Sequence, residues 1–324
     1  MLPRLFVVLH LAAAVAPGQQ TPMVGPRQDL VFRAGLALVR VDAQVTQGER
    51  LVSGLTREDF VIFDNGKPQP VIHFRREEDP IDLILAIDTS GSMRGAIQKV
   101  NAVAHHALSQ LRKEDRVAVS QFTFRTRTVQ PLTQNFSLVE DAIEAICGKP
   151  FRGGTNIHGA LSHAAGYLME QPRNIRRRAI LLITDGKSPT FTSKRKVLER
   201  IWEADAVLDA LLVKPVGRQF TLFQRSVNVS KLVEETGGDL VNAENIGASF
   251  ERIVERIRRR YSLHYALPPG REGDRHTVRV ELTDSTAKAL PGARVKARKG
   301  YVWNAVPSDS SAGISSLRSS PTEP

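Results

Sequence analysis

The sequence predicts an α/β protein: a doubly wound, mostly parallel sheet inserted in a small β-sandwich that the two flanks of the chain build together. Three observations carry this prediction. Residues 84–87 and 179–183 are continuous apolar runs that end beside a carboxylate and a glycine, Asp88 with Gly91 and Asp185 with Gly186. Strands buried on both faces beneath helices read this way. Between and after these runs lie segments with apolar residues at helical spacing, and such βα alternation implies a parallel sheet. Near both ends of the chain, around 39–46 and 263–282, apolar and polar residues alternate with period two, the pattern of antiparallel strands with one face on a core.

In chain order, Arg4 precedes an apolar core from Leu5 to Val15 and small residues from Ala12 to Ala16. The run is about half of the roughly 20 residues that a spanning helix needs. Residues 1–18 are therefore expected to be a signal peptide, with a cut just before Gln19. The mature chain is expected to be secreted or periplasmic, with no transmembrane anchor. Cys147 stands alone, which excludes an intramolecular disulfide, and its surroundings suit a small core residue at a helix end.

The first flank, 28–79, opens with Val39, Val41, Ala43 and Val45 alternating with Arg40, Asp42, Gln44 and Thr46, a half-buried strand. Residues 55–60 read as one capped helical turn, with Thr56 as cap and Leu55 as staple. Residues 60–63, a turn at Asp64-Asn65-Gly66, and 71–74 read as a hairpin. The α/β unit, 80–260, continues with a helix after Met93 whose face is Val100, Val103, Ala104, Ala107, Leu108 and Leu111. A strand pair at 117–124 and 125–132 follows, then helices at 136–146, 157–168 and 196–204. A buried strand at 207–213 and a last helix marked by Phe250, Ile253, Val254 and Ile257 complete it.

The second flank, 261–303, supplies Leu263, Tyr265 and Leu267, then Val278, Val280 and Leu282, then one more short strand at 295–301. Neither flank alone offers more than a marginal sheet, so the two are expected to pair. The Ser-rich stretch 304–324 is expected to be a disordered tail.

The net charge is +11, and 251–303 holds thirteen Lys and Arg against six Asp and Glu, which is +7 of that total. A solvated basic face is the preferred reading over affinity for acidic partners, anionic lipid or a polyanionic matrix. Nucleic acid is excluded as a partner, because the basic runs lack interleaved aromatic residues. Adjacent His105 and His106 do not share a helix face, so they read as flank residues rather than metal ligands. Asn135 and Asn228 begin glycosylation sequons, a pattern common by chance.

The chemistry concentrates in three segments. Asp88-x-Ser90-x-Ser92 lies at the carboxyl end of the first apolar run, where open α/β sheets place their ligands, and Gly91 lets the backbone turn there. Gly153-Gly154-Thr155-Asn156 leads into a helix. Asp185 follows the second run in Thr184-Asp185-Gly186. Hard oxygen donors of this kind suit Mg2+, Mn2+ or Ca2+. Two carboxylates roughly neutralise such a cation, while neutral hydroxyls leave it electrophilic, so an open position would favour a partner's carboxylate. A plainer reading is that Asp88 and the serines only cap the following helix.

The five positions Asp88, Ser90, Ser92, Thr155 and Asp185, in that order, resemble the metal-ion-dependent adhesion site of von Willebrand factor A domains. That resemblance implies a Rossmann-like sheet, near-direct metal contact by Ser90, Ser92 and Thr155, and contact largely through water by Asp88 and Asp185. Gly91, Gly154, Asn156, Gly186 and Lys187 border the site as candidate ligand contacts, although a lysine so placed is often merely solvated. The segments 54–60, 64–68 and 297–301 extend the resemblance to the acidobacterial VWFA-related domain family, over nearly the whole mature chain. The expected function is non-enzymatic: a secreted binding module whose metal captures a Glu or Asp carboxylate of a protein partner. The alternatives are an envelope assembly protein with a fold-stabilising metal and a metal-dependent hydrolase. Against the hydrolase, position 90 is Ser rather than a second Asp, and no nucleophile–base set stands out.

Overall fold

The computed structural model describes residues 37–76, 79–149, 152–172, 176–189, 192–213, 227–243 and 246–303. The expected signal peptide and tail lie outside these residues, as do the side chains of Val100 and Val103. The chain enters through β1 (Leu38–Gln47), β2 (Arg50–Leu51), β3 (Phe60–Asp64), β4 (Lys67–Gln69) and β5 (His73–Arg76). The α/β unit follows as β6 (Ile81–Asp88), α1 (Arg94–Leu108), β7 (Arg116–Phe122), β8 (Thr126–Thr133), α2 (Phe136–Cys147), α3 (Ile157–Met169) and β9 (Arg177–Thr184). It continues through α4 (Lys194–Glu203), β10 (Ala206–Val213), α5 (Val229–Thr236), β11 (Leu240–Ala243) and α6 (Ile246–Arg258). The chain returns as β12 (Tyr261–Ala266), β13 (Arg275–Leu282), α7 (Asp284–Ala289), β14 (Ala293–Lys296) and β15 (Gly300–Val302).

The central sheet runs β11-β10-β9-β6-β7-β8, parallel except for the β7–β8 pair. Alternation sends Leu83, Leu85 and Ile87 to a core with α1, α2 and α6, while Ile84 and Ala86 join α3, α4 and α5 on the opposite face. Every residue of β6 and β9 is buried, as their unbroken apolar runs require. Among the described residues no helix is long and apolar enough to cross a membrane. The sequence reading did not identify α5, β11 or α7.

The two antiparallel sheets of the sandwich run β14-β1-β12-β5, with β2 beside β1, and β15-β13-β3-β4. Each mixes strands from both flanks: Val41 pairs with Leu263 and Ile62 with Val280. Their shared core includes Val41, Ala43, Ile62, Leu263, Tyr265 and Val278. The Asp64-Asn65-Gly66 turn has φ of 47° at Asn65 and 76° at Gly66, as the tight hairpin turns favoured by Asn-Gly require. Asp64 itself is buried, accepting hydrogen bonds from Tyr265 (2.7 Å) and Tyr301 (2.8 Å) and lying 2.6 Å from His276 Nδ1.

Four expectations need correction. The partner of β3 in its hairpin is the short β4, whereas His73–Arg76 crosses to the other sheet and pairs with β12. Residues 295–301 hold parts of two strands in different sheets, β14 and β15, rather than one. β1 is not half-buried: Asp42, Gln44 and Thr46 on its polar face are also buried. The Arg177 guanidinium of β9 reaches this polar face, 3.5 Å from Asp42 and donating to Ser262 at 3.1 Å. The basic run at the end of α6 is not simply solvated. Arg256 pairs with Asp239 at 3.0 Å, Arg258 with Asp115, and the fully buried Arg260 with Asp209 at 3.3 Å.

Candidate metal centre

β6 ends on Asp88, β9 ends on Thr184 one residue before Asp185, and the glycine loop before α3 carries Thr155. Three hydrogen bonds join these segments into a closed triangle. Gly91 N donates to Gly153 O (3.3 Å), Thr184 Oγ1 to Asp88 Oδ2 (2.6 Å), and Ser188 Oγ to Thr155 O (3.0 Å). Three segments far apart in sequence, which carry the five motif positions, thus share one end of the parallel sheet.

Within the triangle, Ser90 and Ser92 bring their hydroxyl oxygens to 3.2 Å of each other. Asp88 is fully buried and also accepts from Ser90 N at 2.9 Å. Burial pushes its carboxyl up to about 6, against the hydrogen bonds from Thr184 and Ser90 that favour the charged form, and nearby Asp185 adds to the rise. Asp185 accepts from Lys187 N through Oδ1 (3.1 Å), but its buried Oδ2 has no hydrogen-bond partner among the described residues. A buried carboxylate oxygen without a partner is costly, and a cation is a natural counterpart.

The residues present fit a divalent ion: two carboxylates at a sheet end, converging hydroxyls and an orphaned oxygen. Among the described residues no group of three His, Cys, Asp or Glu is placed to hold a metal, so any ion here would depend on the hydroxyls of Ser90, Ser92 and Thr155. Bound there, it would supply an electrophilic position for an anionic oxygen.

The glycines have separate tasks. Gly153 and Gly186 have φ of 81° and 77°, left-handed values that favour glycine. A Cβ at Gly154 would stand 2.4 Å from the Phe124 ring. Asn156, expected among the ligand contacts, uses its side chain to cap α3, accepting from Gly159 N at 2.9 Å. Lys187 is half-buried beside the loop. Sequence reasoning did not single out Thr184 and Ser188, which fasten the segments together, although a hydroxyl directly before Asp185 was a usable signal. His105 and His106 lie instead near Glu140 (2.8 Å) and Glu251 (3.4 Å). Asn135 and Asn228 are the N-caps of α2 and α5.

Residues 83–187 match the family model described as von Willebrand factor type A domain, a span that includes all three motif segments. No curated protein matches the chain. Among solved structures, an aerotolerance-related membrane protein from Bacteroides fragilis is 18% identical with a TM-score of 0.44, covering 55% of this chain and 98% of its own. A von Willebrand factor type A protein from Catenulispora acidiphila is 16% identical with a TM-score of 0.45, covering 85% and 76%. Proximal thread matrix protein 1 from the mussel byssus, with a zinc-occupied MIDAS motif, is 16% identical with a TM-score of 0.45, covering 56% and 49%. The inserted unit has an α/β fold of the von Willebrand factor type A kind, with a mostly parallel sheet between helices and antiparallel sheets built by its flanks.

Proposed function

We propose that the chain is an exported, non-enzymatic protein-binding module in which a divalent cation, Mg2+ or its analogues Mn2+ and Ca2+, captures a Glu or Asp carboxylate of a protein partner. In this reading Asp88, Ser90, Ser92, Thr155 and Asp185 hold the ion, as their resemblance to the adhesion-site motif implies. Export rests on the sequence of residues 1–18, and the resemblance of both flanks to the acidobacterial VWFA-related family supports the same setting. The observation that carries the reading is the buried Oδ2 of Asp185, unpartnered among the described residues, which shares its end of the sheet with the converging hydroxyls of Ser90 and Ser92.

The test has two stages. Calorimetric titration of the full chain with MgCl2 or MnCl2 is expected to show one site that is lost in Asp185→Asn at unchanged melting temperature. A glutamate-bearing peptide should then be retained with Mg2+ and released by EDTA. Retention that is the same in EDTA would overturn the capture mechanism. If the ion raised the melting temperature without affecting retention, the fold-stabilising alternative would replace it.

A further inference from the structure

Beside the candidate metal centre the surface holds a second feature. A hollow of about 400 Å³ has Thr89, Phe122, Thr123, Arg125 and Arg127 among its lining residues. Thr89 stands between Asp88 and Ser90, and its N and Oγ1 both donate to Phe122 O, at 2.9 and 3.0 Å. Asn156 N donates to Thr123 O at 2.9 Å, so the β7–β8 turn is also fastened to the loop that carries Thr155. The backbone that lines the hollow is therefore hydrogen-bonded to two of the three segments of the candidate metal centre.

Its chemistry is basic and apolar. Arg125 and Arg127 are exposed, and neither has an ion-pair partner among the described residues. This contrasts with the arginines near the end of α6, where Arg256, Arg258 and Arg260 each meet a carboxylate. Phe124, between these strands, keeps 55% of its surface exposed and lies against Gly154. An unpaired guanidinium offers a planar fork that matches a carboxylate. Two of them beside an exposed ring describe a surface for a negatively charged segment.

We infer that the partner segment is acidic over several residues: one carboxylate is taken at the candidate metal centre, and others are held by Arg125 and Arg127 in the adjoining hollow. This rests on the reading above for the first carboxylate only. It specifies the ligand as an acidic peptide rather than an isolated Glu or Asp, and it assigns Arg125 and Arg127 as specificity-determining residues.

Fluorescence polarisation of the full chain decides it, with a fluorescein-labelled hexaglutamate peptide and a length-matched Gly/Ser peptide carrying one glutamate, each in Mg2+ and in EDTA. The expected result is at least tenfold tighter binding of hexaglutamate. Arg125→Ala/Arg127→Ala should remove that advantage while leaving the one-glutamate peptide and the heat of Mg2+ binding unchanged. The exposed pair Arg271→Ala/Lys288→Ala on the sandwich controls for general charge and should change nothing. The inference is overturned if Arg125→Ala/Arg127→Ala keeps the advantage, or if the control pair loses it equally. If the Arg125/Arg127 variant loses binding to the same extent in EDTA as in Mg2+, the basic hollow stands and the metal-capture reading falls. If EDTA abolishes binding and the variant has no effect, the reverse holds.

Discussion

Burial of Asp42 opposes its ionisation, yet Arg40 and Arg177 beside it, with a hydrogen bond from Ser262, hold its carboxyl well below the usual range. Arg177 is in turn pushed down to about 10 by burial, with Asp42 opposing that shift. Removing one partner of a buried pair costs about 3–5 kcal/mol, and Asp42→Ala is expected to lose that much in urea unfolding. The sign with pH follows from the depressed value. Stability due to this carboxylate is complete above the unfolded pKa of about 3.9 and is lost as pH falls below it. Acid titration followed by tryptophan fluorescence should accordingly be shallower below about pH 4 in Asp42→Asn than in the wild type. Cys147 offers a simpler check. It is buried, and burial pushes its thiol up to about 11, so a thiol reagent at pH 8 should label it only after denaturation.

At the scale of elements, what the sequence disclosed depended on how local each signal was. β6 and β9 were legible because an apolar run that stops on a carboxylate and a glycine is written within one short segment. The register of β4 was not. Pro68 and Pro70 interrupt the return arm of the hairpin, and proline cannot donate to a ladder, so the pairing with β3 ends at Gln69 and the chain passes to the other sheet. The break between β14 and β15 has a tertiary cause. A Cβ at Gly237 would stand 2.4 Å from Ala297 C, and Lys299 N donates to Glu235 O at 2.9 Å. That stretch is occupied by the end of α5, a helix the sequence reading had passed over.

The candidate metal centre divides in the same way. Its five motif residues were readable, whereas the Thr184 and Ser188 hydrogen bonds exist only once the three segments meet. Two element-scale outcomes are expected. Asn228→Ala removes the α5 cap, which accepts from Lys231 N at 3.0 Å, and should cost about 1 kcal/mol by urea unfolding. Gly238→Ala would place a Cβ 1.8 Å from Leu208 O. Because that neighbour is backbone in a central strand, the loss should be at least about 3 kcal/mol, or the protein should fail to accumulate in soluble form.

For the whole molecule, the pairing of β1 with β12 and of β3 with β13 makes each flank depend on the other. A chain truncated after Arg260 leaves β1 and β3 without these partners. It is expected to lose the cooperative melting transition of the full chain in calorimetry and to aggregate through the exposed edges. A sharp transition of comparable enthalpy in the truncated chain would show that the inserted unit carries the first flank unaided.

Arg177 grips both connections between the two parts of the molecule. Its backbone N donates to Pro80 O at 2.8 Å, where the chain enters the inserted unit, and its guanidinium donates to Arg260 O at 2.9 Å, where the chain leaves. Entry and exit are thus neighbours at the amino ends of the parallel strands, while Asp88 and Asp185 lie at the carboxyl ends. Such an arrangement behaves as a socket. A different head could be grafted between these two points without re-routing the sandwich, and one recognition surface could replace another on an inherited mount.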